Sequence, residues 1–103
     1  MTSDDLGARL LPPAAADYAR ELPAKASALL DLVRRVRAGD DDAAAALAAA
    51  AHRLAGSAGS YGFPTIGAAA RDLELLAIDH VSRDDARWRA LADALADAVA
   101  DVA

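Results

Sequence analysis

The chain has 103 residues, a formal net charge of −5 and no cysteine, and 55% of its residues are apolar, more than half of these alanine. That length supports one small core and leaves no room for a second domain or a deep substrate cleft. The missing cysteines remove disulfides, thiolate catalysis and cysteine-based zinc sites, and the acidic balance argues against nucleic acid as a partner.

Alanine is the best helix former, and the β-branched and aromatic residues that favour strands are few, so composition alone predicts an all-α domain. The only dense basic run, Arg34, Arg35 and Arg37, is flanked by Asp31 and by Asp40 to Asp42. No stretch approaches the eighteen or so apolar residues of a membrane span, and the acidic start lacks the basic and apolar regions of a secretory signal. A cytoplasmic protein with no membrane partner is expected, and Met1 favours a free-standing one.

Residues 1–13, ending in Leu-Leu-Pro-Pro, read as a loose lead-in to a single domain over 1–103. A first short helix is predicted from about Ala14, with Asp17, Tyr18, Glu21 and Leu22. Pro23, lacking an N–H, is expected to kink it or to open the next helix. That next helix carries Ala26, Leu29, Leu30, Val33 and Val36 at three- and four-residue spacing and ends at Gly39. Asp40, Asp41 and Asp42 open a third helix, reaching about Ser60, because aspartates accept the orphan N–H groups of a first turn.

Gly62-Phe63-Pro64 punctuates the chain, and Pro64 suits the first turn of a fourth helix. Its stripe is Ile66, Ala69, Ala70, Leu73 and Leu76, and it fades near Asp79. Ser82 with Asp85 resembles a capping box before a last helix whose single apolar face is Trp88, Leu91, Leu95, Val99 and Val102. The whole predicts an antiparallel up-and-down four-helix bundle with an additional short N-terminal helix or turn.

At about 100° per residue, Leu47, Leu54 and Tyr61 form the large apolar stripe of the third helix, and His52 falls roughly 160° from Leu54. The side chains nearest His52 are Ala45, Ala48, Ala49, Ala55, Gly56 and Gly59, all alanine or glycine. Gly56, one turn after His52, costs about 0.5–1 kcal/mol relative to alanine, so its presence suggests an approach closer than a methyl group allows. The pattern describes an imidazole on a flat face that another protein's active site can envelop.

No acidic residue or second histidine lies one turn from His52, and His80 reads as an exposed loop residue. Ser57 lies about 140° around the helix from His52, so the two cannot form a nucleophilic pair within it. No Walker loop or dinucleotide fingerprint offers a nucleotide site.

The run Ala51-His52-Arg53-Leu54-Ala55-Gly56-Ser57-Ala58-Gly59-Ser60-Tyr61-Gly62-Phe63 resembles the signature of histidine-containing phosphotransfer (HPt) domains: His-x-Leu-Lys-Gly-Ser, then a hydrophobic residue and Gly. His52, Leu54, Gly56, Ser57, Tyr61 and Gly62 match in register, and Leu73-Glu74 resembles the Leu-Glu pair of the family's next helix. The resemblance implies a four-helix bundle without kinase activity, in which His52 is phosphorylated and exchanges its phosphoryl group with receiver-domain aspartates in a multistep two-component relay. It also implies Gly56 as the close-approach position and Gly62 in the turn that follows. Where many members carry lysine this chain has Ala55, and Arg53 is the nearest cation in sequence, about 100° around the helix.

The supporting or docking residues expected are therefore Gly56, Arg53, Ala55, Ala48, Ala49 and Gly59. No cofactor or metal is expected on this chain, Mg²⁺ being held by the partner receiver. The expected partners are response-regulator receiver domains or a hybrid histidine kinase, with the chain itself a monomer. Two alternatives stay open: an adaptor that binds a receiver or kinase without carrying phosphate, and a helical oligomerisation module.

Overall fold

The computed structural model describes residues 13–102, so all but Pro13 of the lead-in expected over 1–13 lies outside the described residues. Among them are four helices and no strand: α1 (Pro13–Arg37), α2 (Asp41–Ser60), α3 (Pro64–Ile78) and α4 (Arg87–Val102). Each helix packs on its neighbour in sequence and α4 closes back on α1, which gives the up-and-down bundle its ring of interfaces. No described helix is long and apolar enough to cross a membrane.

Two expectations fail in α1. Pro13 opens the helix rather than ending the lead-in, and the short helix anticipated before Pro23 is simply the start of α1. A proline in a helix interior removes one backbone hydrogen bond and costs about 3 kcal/mol. Pro23 is exposed, however, and the buried stripe Tyr18, Leu22, Ala26, Leu29 and Val33 continues across it. Burial of each large side chain of that stripe contributes about 1.5–3 kcal/mol, so together they outweigh the proline.

The other boundaries follow their local chemistry. Gly39, with φ +94°, ends α1, and Asp40 caps α2 by accepting the Asp42 N–H. Hydrogen bonds from Arg35 hold the Asp40 carboxyl below its ordinary range. Pro64 opens α3, whose predicted stripe of Ile66, Ala69, Ala70, Leu73 and Leu76 is buried throughout. In α4, Trp88, Leu95 and Val99 are buried, whereas Leu91 is half-buried and Val102 is exposed. The apolar face of α4 therefore reaches the surface only at its final residue, Val102.

The cap of α4 also differs from expectation. Asp85 does not reach back to Ser82; its own carboxylate accepts the Arg87 backbone N–H at 2.9 Å and pairs with the Arg87 guanidinium. Those side-chain bonds first, and the backbone N–H second, pull the Asp85 carboxyl from 3.8 to about 2. Because folding lowers this pKa, the stabilisation is complete above 3.8 and fades as the pH falls through about 2. Asp85→Asn is expected to be less stable than the parent near neutral pH, with the gap closing as acid approaches that limit. Chemical denaturation at several pH values measures the gap, and a difference that stays constant would contradict the assignment.

Candidate functional site

Helix α2 buries Ala43, Leu47, Ala51, Leu54 and Ala58, so its opposite side faces solvent. Midway along that side stands His52, with 77% of its side chain exposed. The imidazole is not free to spin: its Nδ1 lies 2.8 Å from Oε2 of Glu74, a residue of α3 that is only 15% exposed. An ionised carboxylate can only accept, so a neutral ring paired with it carries its proton on Nδ1 and keeps the free lone pair on Nε2. This contact supplies the tautomer-fixing partner that His52 lacks within its own helix.

Glu74 reaches His52 because α2 and α3 are pressed together below the pair. A methyl group built on Gly67 would lie 3.2 Å from the Ala55 carbonyl oxygen and 3.5 Å from the Gly59 nitrogen, so glycine is what permits the approach. The buried neighbours Leu73 and Ala77 fix the rotation of α3 and leave Glu74 at the edge of the core. At the C-terminal end of α2, Gly62, with φ +87°, turns the chain, and the Phe63 N–H returns to the Ala58 carbonyl at 2.8 Å.

The two helices form the walls of a shallow groove of about 360 Å³ that contains His52. Ala55, Gly56 and Gly59 line it from α2, facing Gly67, Ala68, Arg71 and Glu74 of α3. A methyl group on Gly56 or Gly59 would meet nothing within 4 Å, so neither glycine is required by a contact inside the chain. Ala48 is half-buried and Ala49 exposed, both outside the groove. Arg53 is exposed, makes no hydrogen bond or ion pair with another described residue, and does not line the groove either.

Ser57 turns away from His52, as its place on the helix requires, and bonds the Tyr18 hydroxyl at 2.6 Å, tying α2 to α1. Tyr61 corrects the stripe expected with Leu47 and Leu54: it is 40% exposed and stacks on Tyr18 with ring centroids 4.5 Å apart. The helix has ended at Ser60, so the 100° step no longer places residue 61. His80 is exposed in the loop after α3, with φ +51°. No cluster of three or more His, Cys, Asp or Glu that could hold a metal ion occurs among the described residues.

Sequence reasoning did not find Glu74, Arg71 or Gly67 as parts of the site. A signal existed for the first: His52 lies eight residues before the end of α2, and Glu74 ten after the start of α3. In an antiparallel helix pair such residues come nearly level across the turn. Comparison with known protein families matches residues 14–103 to the family described as Hpt domain. No curated protein and no solved structure matches the chain.

Proposed function

The chain belongs to the Hpt domain family, and from that membership we propose that it carries a phosphoryl group on Nε2 of His52, received from and returned to the aspartate of a receiver domain. Hpt domains are phosphocarrier modules of two-component signalling, not kinases, and they interact with receiver domains and histidine kinases. The observation that carries the reading is the exposed imidazole of His52, held through Nδ1 by Glu74 in the wall of the groove.

The chemistry asks for positioning more than for acid–base work. The Nε2 lone pair forms the N–P bond as the P–O bond to the receiver aspartate breaks, and the departing carboxylate keeps that bond's electron pair. The Nδ1 proton stays on the ring, and the Glu74 carboxylate beside it balances the positive charge the ring acquires. In the reverse step the carboxylate attacks phosphorus and the electron pair returns to Nε2. Mg²⁺ held by the receiver would supply the charge neutralisation of the phosphoryl oxygens.

Gly56 belongs to the docking face in this account. Gly56→Ala is expected to raise stability by about 0.5–1 kcal/mol, since the methyl group meets nothing and alanine is the better helix former. Gly56→Gln keeps the fold but obstructs the receiver, weakening its affinity about tenfold, or about 1.4 kcal/mol. Denaturation and titration calorimetry measure the two effects, and a Gln variant that binds unchanged would remove Gly56 from the docking face.

The function itself is tested by offering the chain a panel of phosphorylated receiver domains with Mg²⁺. Label that is acid-labile and base-stable on the chain supports the phosphocarrier. Firm binding without label would overturn it in favour of an adaptor.

A further inference from the structure

We infer that Arg71 of α3 is the cation that holds the phosphoryl group on His52, an inference that rests on the phosphocarrier reading above. A phosphoryl group on Nε2 brings close to two negative charges into a groove that already contains the Glu74 carboxylate. In a chain of net charge −5 nothing in the bulk electrostatics offsets this, so the neutralisation has to be local. Among the described residues, Arg71 is the one basic residue lining the groove with His52.

Three further observations fit the role. Arg71 sits one turn before Glu74 on the same helix, so its side chain starts from the wall that already holds the imidazole. It is exposed and makes no hydrogen bond or ion pair with another described residue, which leaves its five donors available for phosphoryl oxygens. The groove between it and the nucleophile is lined by Ala55, Gly56 and Ala68, whose small side chains leave the guanidinium room to swing. Arg53, although adjacent to His52 in sequence, is outside the groove.

The Nε2–P bond forms and breaks as before, and Arg71 adds only hydrogen bonds and charge. The experiment follows transfer from one phosphorylated receiver with Mg²⁺ to the wild-type chain and to Arg71→Ala, Arg71→Lys and the double variant Arg71→Ala/Ala55→Lys. Arg71→Ala is expected to slow transfer about tenfold or more, while its circular dichroism and its affinity for the unphosphorylated receiver stay close to wild type. Arg71→Lys should keep most of the rate, because the charge is retained. Lysine at position 55 lines the same groove one turn from His52 and should restore part of what Arg71→Ala loses.

Transfer at the wild-type rate in Arg71→Ala would overturn the inference alone, as would an Arg71→Lys rate as low as that of Arg71→Ala. A wild-type chain that no receiver labels would overturn the phosphocarrier reading and this inference with it.

Discussion

His52→Gln is expected to abolish phosphoryl acceptance while leaving the bundle folded. Glutamine is polar and of similar reach, but its amide nitrogen has no lone pair available to attack phosphorus, so no residual transfer is expected at this position. The structural cost is small because 77% of the side chain is exposed; substitutions at such positions change stability by about 0.5 kcal/mol or less. His80→Gln is the matched control, since His80 is also exposed but lies in the loop after α3, away from the groove. Radiolabel transfer and thermal denaturation, run on the same preparations, separate loss of the nucleophile from loss of the fold. Equal labelling of His52→Gln and the parent would refute the assignment.

Gly67→Leu is expected to destabilise the bundle by about 1–3 kcal/mol or more, because even the first added carbon meets α2 backbone at 3.2 Å. For a domain of this size that corresponds to a fall in Tm of roughly 4–8 °C for each kcal/mol. The helices must separate to admit the side chain, and separation carries Glu74 away from His52. Transfer should therefore slow at temperatures where the variant is still folded. Gly56 makes the contrast: it stands on the facing helix, yet the same kind of change there is expected to stabilise, since a methyl group meets nothing. Two glycines of one groove thus serve different ends, one admitting a neighbouring helix and the other keeping a surface clear. Denaturant titration of Gly67→Leu measures the first, and an unchanged midpoint would show that α2 yields without cost.

What the sequence revealed and what it hid divides along a physical line. The exposed placement of His52 and the burial of Leu47 and Leu54 were legible because a helix advances by a fixed angle per residue. The same rule separated Ser57 from His52, and the structure gives Ser57 to Tyr18 instead. Tyr61 escaped the rule because the helix stops one residue earlier. Pro23 does not open a new helix, although local propensity allows it, because the stripe from Tyr18 to Val33 buries enough apolar surface to carry the helix through it. In the sequence Glu74 stands out only as half of a Leu-Glu pair. Its hydrogen bond to His52 spans 22 positions, and only the register of α3 on α2, set by Gly67, brings the two together. Arg71 stayed hidden for the same reason.

In the proposed relay Nε2 of His52 carries the phosphoryl group while Nδ1 keeps its proton for Glu74. Phosphorus and nitrogen NMR of the ¹⁵N-histidine-labelled chain, phosphorylated by a receiver domain, tests it most directly. A single phosphohistidine, coupled through Nε2 of His52 with Nδ1 protonated, is expected. A phosphoryl group on Nδ1, or on His80, or on no histidine at all would contradict it.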